Sequence, residues 1–237
     1  MALGLMSDAV CYPSIPQELV RYLDTCMKNQ ITNRFTMALA DAPEVTVQAI
    51  DEMFRIASSA TGLTPDALLR ATDFNGNDLD ETRLTAAFAE IRSINFLHQE
   101  KFTHIRPIKA GVKKSCDILA KRGDLDYAVE VAESIYDARR RFSPQQIAGW
   151  MVARLIEDGK LIQLNTTARD LVNARRVFIG VVDTGATVAL QTHGEYSQAV
   201  RLAWQEAGSD PLLHLCIVTG RVELKCGPDD STFPPWV

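Results

Sequence analysis

The sequence predicts a mainly α-helical body followed by a small C-terminal α+β unit with the order β-β-α-β-β. From Pro16 to about Lys160, apolar residues recur at the three- and four-residue spacing of helices, whereas after Leu161 short β-branched runs appear. We therefore predict a helical domain at residues 1–162 and a small α+β domain at residues 163–237. The 237 residues are 46% apolar and 23% charged, which is typical of a soluble globular protein.

Helix boundaries in the first domain are marked by capping residues. Thr64 and Ser143 are predicted N-caps because each precedes a proline, Pro65 or Pro144, that fits the first helical position. Glu44 places an acidic group at the start of another helix, where the helix dipole favours it. The predicted helices include residues 44–60, 80–99, 123–142 and 143–161.

The C-terminal unit is predicted from four β-branched runs and one amphipathic segment. The runs VFIGVV, TVALQ, LLHLCIV and RVELKC are typical of strands, and EYSQAVRLAWQEAG is typical of a helix that ends at Gly208. The segment after them is rich in turn residues and is predicted to be irregular. Its Phe233 and Trp236 are expected to dock onto a neighbour or onto the protein's own surface.

The segment VVDTGA, which contains Asp183, resembles the active-site strand of a retroviral-type aspartic protease. That chemistry needs two carboxylates about 3 Å apart, so a symmetric dimer would have to supply the second. It also needs a covering flap, but a helix is predicted in that interval. We favour a hairpin turn in which Gly185 adopts a positive φ, and we assign no catalytic residue.

The segment DFNGNDLDETRL resembles a calcium loop of the EF-hand type, with Asp73, Asn75 and Asn77 at the first, third and fifth positions. The sixth position is Asp78 instead of glycine, and the twelfth is Leu84 instead of a bidentate glutamate. We interpret the segment as a polar loop that caps the helix beginning near residue 80.

The segment SPQQIAGWMVARLIEDGKLIQLN resembles the last helix and wing strand of a winged-helix domain. A helix that contacts bases needs basic residues on its exposed face. Here that face carries Arg154 as its only cation, together with Glu157. We therefore interpret the segment as a core helix followed by a strand.

Cysteine and histidine spacing gives no sign of a metal or cofactor. The five cysteines are far apart in sequence and the four histidines form no metal-binding spacing, so we expect reduced thiols in the cytoplasm. No glycine-rich phosphate loop is present, and no apolar run approaches the length of a membrane helix. We predict no metal, no cofactor and no membrane partner.

Charge is distributed unevenly along the chain. Residues 1–100 carry a net charge of −7, residues 101–178 carry +6 and residues 179–237 carry −4. Clustered lysines and arginines bind phosphates without regard to base sequence. The predicted nucleic-acid-binding residues are Lys109, Lys113, Lys114, Lys121, Arg122, Arg139, Arg140 and Arg141.

These observations leave three hypotheses for the function. The first is a non-enzymatic protein that binds RNA or single-stranded nucleic acid, or a nucleoprotein-like component, through a basic central helical segment. A helix there would align Lys109, Lys113 and Lys121, which are spaced by multiples of four, roughly on one face. The second is a helical subunit of a homo-oligomer or larger complex, in which acidic ends meet basic middles. The third is an enzyme of another type, with the protease interpretation of Asp183 as its named form.

Overall fold

The computed structural model describes residues 12–109, 115–135, 142–183, 193–220 and 231–237. The helices in these ranges are α1 (Gln17–Lys28), α2 (Arg34–Asp41), α3 (Pro43–Thr61), α4 (Pro65–Ala71), α5 (Glu81–Gln99), α6 (Pro144–Val152), a π-helical turn (Ala153–Glu157), α7 (Lys160–Arg169) and α8 (His193–Glu206). The strands are β1 (Thr103–Pro107), β2 (Ile118–Arg122), β3 (Leu125–Ile135), β4 (Arg175–Asp183), β5 (Leu213–Gly220) and β6 (Ser231–Phe233). None of the described helices combines the length and apolar composition needed to cross a bilayer.

The six strands form one mixed sheet whose spatial order follows the chain order. β2 is antiparallel to both of its neighbours, β1 and β3. β3, β4 and β5 run parallel, and β6 is antiparallel to β5. Parallel neighbours need crossover connections. The segment that contains α6, the π-helical turn and α7 links β3 to β4, and the segment that contains α8 links β4 to β5.

Helices cover both faces of this sheet. Helices α1–α5 share one buried core with side chains of one sheet face, such as Val129, Val131 and Val177. Helices α6, α7 and α8 share a second core with the opposite face, which includes Ala128 and Phe178. The architecture is therefore a three-layer α/β fold.

The predicted fold class, a mainly helical body with a small C-terminal β unit, is wrong. The segment predicted as a helix at residues 123–142 contains β3, the longest strand of the sheet, and β1 and β2 precede it. A strand that is buried on both faces carries apolar residues at successive positions and so loses the two-residue alternation that identifies a strand. The predicted boundary at residue 162 falls within α7, and β3 and β4, which lie on either side of it, pair along nine residues.

Several predicted elements are confirmed. Thr64 and Ser143 cap their helices through their side chains, and each is followed by proline at the first helical position. β4, α8 and β5 match three of the elements predicted for the C-terminal unit. The remaining predicted strands, TVALQ and RVELKC, lie outside the described residues. The predicted strand after Leu161 is instead part of α7.

The hairpin predicted around Asp183 is also wrong. Asp183 is the last residue of β4, and β4 pairs with β3 on one side and with β5 on the other over almost its whole length. Both edges of β4 are therefore occupied along VFIGVV, the first strand of the predicted hairpin, whereas its turn at Gly185 and its second strand lie outside the described residues.

The residues near the C-terminus dock onto the protein's own surface, as predicted. The Trp236 ring lies 4.9 Å from the Phe102 ring and 5.1 Å from the His214 ring, measured between centroids, and its Nε1 donates to Glu100 at 2.9 Å. Phe233 belongs to β6, so part of the predicted irregular segment is a short strand.

Substitution of Gly180 by alanine should destabilise the protein by about 1–3 kcal/mol, because it overpacks the contact between β4 and α6. A Cβ atom at this position would lie 2.8 Å from Cζ3 of Trp150. Gly149→Ala is the matched control, since a Cβ there meets no atom within 4 Å. Thermal unfolding should show a lower Tm for Gly180→Ala only, and equal Tm values for the two variants would contradict this account of the packing.

Candidate active site

Asp117 and Glu130 face each other at the point where β2 begins to pair with β3. The first pair of the β2–β3 register is Ile118 opposite Val129, so Asp117 and Glu130 occupy the next position. Oδ2 of Asp117 accepts a hydrogen bond from the backbone N–H of Val131 at 2.7 Å. The Asp117 carboxylate thereby takes the place of a strand partner for the Val131 N–H. Beyond this point the described part of β3 pairs with β4 alone.

Lys160 joins the two carboxylates. Its Nζ lies 2.8 Å from Oε2 of Glu130 and 3.7 Å from Oδ2 of Asp117. In the amide orientation that satisfies its polar atoms, Gln163 donates from its side-chain nitrogen to Oε1 of Glu130 at 2.9 Å. The side chain of Glu130 is 0% exposed, whereas those of Asp117 and Lys160 are 26% and 21% exposed. The cluster therefore reaches solvent through Asp117 and Lys160.

The backbone before α7 places Lys160 at this position. The π-helical turn ends at Glu157, and Gly159 then adopts the left-handed conformation, with φ at 74°, as the N-cap of α7. Lys160 and Gln163 are three residues apart and share one face of the first helical turn. This turn also brings the positive end of the α7 dipole toward the carboxylates.

The site contains more acidic groups than basic ones. Burial and the neighbouring Asp117 raise the pKa of Glu130 to about 8. On α5, burial together with Asp117 and Asp73 raises the pKa of Glu90 well above its usual range, and Lys160 lowers it. Three carboxyl groups, those of Glu90, Asp117 and Glu130, thus interact with one ammonium group, and Glu130 is mostly protonated at neutral pH.

Lys160 itself is held in the charged form. Burial lowers the pKa of its ammonium group, but Asp117 and Glu130 more than offset this effect, and the pKa is raised overall. A lysine that acts as an amine nucleophile needs a lowered pKa. Lys160 is therefore suited to neutralising an anion and unsuited to forming a covalent bond through its amine.

The geometry fits a cation that needs few protein ligands. Within the described ranges, no three carboxylate, imidazole or thiol groups converge closely enough to enclose a metal ion. Mg²⁺ is commonly held by one or two carboxylates, with water and substrate phosphates completing its shell. Asp117 and Glu130, which already converge on the ammonium group of Lys160, are two such carboxylates.

The predicted nucleic-acid-binding residues do not share one helix. Lys109 is exposed after β1, and Lys121 lies on β2, where it pairs with Asp126 at 3.0 Å. The Arg122 guanidinium lies over the rings of Phe102 and Trp236, at 5.7 and 5.9 Å from their centroids.

The predicted helical alignment of Lys109 and Lys121 is wrong because both belong to the β1–β2 region. The other predicted residues, Lys113, Lys114, Arg139, Arg140 and Arg141, lie outside the described residues.

The predicted polar loop at residues 73–84 is confirmed as a capping segment. Oδ1 of Asp80 accepts a hydrogen bond from Thr82 N–H at 3.0 Å and caps α5. Asn75 and Asp78 accept hydrogen bonds from Asn77 and Asp80 in the same way. Their side-chain oxygens thus stabilise the loop's own backbone.

Sequence reasoning missed Asp117, Glu130 and Lys160 as functional residues. A signal was present, because Glu130 is the one acid within the apolar run YAVEVA and Asp117 directly precedes the run ILA. A buried acid in such a run is costly unless it is paired. The helical interpretation of residues 123–142 concealed that signal, because an acid between apolar residues of an amphipathic helix can face solvent.

Comparison with protein-family models, with curated proteins and with solved structures found no match for this chain. The interpretation of the site therefore rests on its own geometry and charge.

Proposed function

We propose that the protein is a nuclease that hydrolyses nucleic-acid phosphodiesters with the help of a divalent cation such as Mg²⁺. The observation that carries the proposal is the convergence of Asp117 and the fully buried Glu130 on one ammonium group, that of Lys160. Burial makes a carboxyl group costly to ionise, and groups whose pKa values are perturbed in this way concentrate at functional sites. A divalent cation would supply the positive charge that Glu130 needs in order to ionise.

Each side chain has a role in the proposed reaction. Asp117 and Glu130 would hold the cation, and the chemistry it would supply is a lowered pKa of a bound water and polarisation of the phosphate. Lys160 neutralises the charge that develops on the phosphate, and Gln163 positions Glu130. Water adds to phosphorus, one P–O ester bond breaks, and the leaving oxygen takes up a proton. The products are a phosphomonoester and a free hydroxyl group.

The charge distribution favours nucleic acid as the substrate. Asp117, Glu130 and Lys160 all lie within residues 101–178, which carry a net charge of +6 in a chain whose net charge is −5. Lys113 and Lys114 precede Asp117 by only four and three residues in sequence. The proposal thus keeps nucleic acid as the partner that the sequence predicts and adds a reaction at its backbone.

Incubation of the full chain with labelled single-stranded RNA or DNA should yield cleavage that requires Mg²⁺ and stops with a chelator. Asp117→Asn should reduce the rate by about a hundredfold or more, since it removes one cation ligand. Asparagine retains a side-chain oxygen that accepts the hydrogen bond from Val131, so the fold should survive. The matched control is Asp41→Asn, which changes an exposed carboxylate at the end of α2.

The outcomes separate the functional hypotheses. Cleavage by the wild type and the control, but not by Asp117→Asn, supports the nuclease. Binding of RNA without cleavage would instead favour the non-enzymatic binding protein. Neither binding nor cleavage, combined with a salt-sensitive oligomer in a sizing experiment, would favour the assembly subunit.

A further inference from the structure

A second feature lies on the same sheet as the candidate site, at its outer edge. A cavity of about 500 Å³ is lined by β1, β2 and the start of β3, together with Thr61 and Leu63 at the end of α3 and Leu171 beyond α7. The side chains of Asp117, Leu119 and Lys121 project to the same side of the sheet, because these residues occupy every second position of the strand segment. The position of Lys121 is about 13 Å from that of Asp117 along β2, at a rise of about 3.3 Å per residue.

The backbone of the edge strand is irregular where it borders this cavity. The β1–β2 register shifts between Thr103 and Arg106, and His104 adopts a left-handed conformation with φ at 50°. Bulges of this kind redirect side chains and are frequent at sheet edges and beside active sites. His104 and Arg106 are both exposed and both line the cavity.

The lining combines cationic and apolar groups. Arg106 and Lys121 contribute positive charge, and Asp126, which pairs with Lys121 at 3.0 Å, is the acid in the lining. Leu119 and Leu171 provide apolar surface within the same cavity. Apolar walls with a few polar groups, in a volume of about 300–1,000 Å³, are typical of ligand sites. A nucleotide matches both parts, because its base is flat and largely apolar on its faces and its phosphate is anionic.

We propose that this cavity is a subsite that binds a nucleotide of the substrate strand next to the cleaved phosphodiester. The inference rests on the proposed nuclease function and extends it to the substrate class. The enzyme then prefers oligonucleotides to mononucleotide-sized diesters, because only a longer strand reaches from Asp117 to Arg106 and Lys121. The subsite contacts phosphate and base faces, so it selects for strand length and not for sequence.

The test compares two substrates and three variants of the full chain. The substrates are a labelled single-stranded octanucleotide and bis(p-nitrophenyl) phosphate, a small diester that fills the cleavage site alone. The variants are Arg106→Gln, the double variant Arg106→Gln with Lys121→Gln, and the control Lys28→Gln, an exposed lysine on α1. Octanucleotide binding is also measured by fluorescence anisotropy in a chelator, where no cleavage takes place.

We expect the double variant to raise KM for the octanucleotide by about tenfold, as the loss of charge-assisted contacts implies, with a smaller rise for Arg106→Gln. Its kcat/KM for bis(p-nitrophenyl) phosphate should stay within about twofold of the wild type. Unchanged octanucleotide KM and binding, or equal losses on both substrates, would overturn the subsite. If the wild type hydrolyses neither substrate, the nuclease proposal fails, and the anisotropy measurement still decides whether Arg106 and Lys121 bind the strand.

Discussion

Replacement of Glu130 by glutamine is expected to abolish cation-dependent cleavage and, at the same time, to make the metal-free protein more stable at pH 8. The first effect follows because a neutral amide is a poor ligand for Mg²⁺, and we expect a loss of about a thousandfold in kcat/KM. The second follows from the environment of Glu130, which is 0% exposed and shares Lys160 with Asp117. Glutamine keeps an oxygen that accepts a hydrogen bond from Lys160 and removes the charge.

The direction of the stability change follows from the pKa. Burial and Asp117 raise the pKa of Glu130 to about 8 in the folded protein, from an ordinary value of 4.5. Between these values the folded state keeps a proton that the unfolded state has released. The free energy of unfolding therefore falls as pH rises from about 4.5 to about 8, and the stabilisation by the protonated acid is lost above that range.

Thermal unfolding of the wild type and Glu130→Gln at pH 5 and pH 8 checks this expectation. We expect the variant to unfold roughly 3–6 °C higher than the wild type at pH 8, with a smaller difference at pH 5. Mg²⁺ should raise the Tm of the wild type more than that of the variant. A variant that is less stable than the wild type at both pH values would indicate that Glu130 serves the fold through its ion pair.

Cleavage should depend steeply on pH, because protons and the cation compete for Glu130. Below a pKa of about 8 the carboxyl group is mostly protonated, so the fraction that can bind a cation increases about tenfold per pH unit. At low Mg²⁺ concentration, kcat/KM is expected to rise by about fiftyfold from pH 6 to pH 8 and to level off above about pH 9.

The Mg²⁺ concentration provides the control for this pH profile. Saturating cation displaces the proton, so the inflection should move to lower pH as Mg²⁺ increases. An inflection that stays at the same pH would assign the titration to a group that is not a ligand. A profile that is flat between pH 6 and pH 8 would contradict the competition altogether.

Local sequence signals predicted the parts of the fold that depend on local interactions. The caps at Thr64, Asp80 and Ser143 are stabilised by hydrogen bonds within three residues, and such bonds are visible in the sequence. The docking of Trp236 was expected from its size and apolar ring alone. These features do not require knowledge of which segments become neighbours.

The sheet and the candidate site could not be predicted without knowing which distant segments of the chain become neighbours. β3 pairs with β4, whose residues lie almost fifty positions later, and both of its faces are covered by helices. Lys160 is thirty residues from Glu130 in sequence, and the crossover connection brings them together. The excess of basic residues in 101–178 indicated a polyanion partner, but no spacing in the sequence shows that Asp117, Glu130 and Lys160 converge.

The agreement between strand order and chain order has a consequence for the emergence of this protein from the ribosome. Each new strand can add to the exposed edge of the strand made just before it, so no completed pair must open to admit a later one. Helices α1–α5 are synthesised before any strand, although their apolar side chains share a core with β3, β4 and β5. We therefore expect the nascent chain to expose an apolar helical surface until β5 is available, and surfaces of this kind are the ones that chaperones bind.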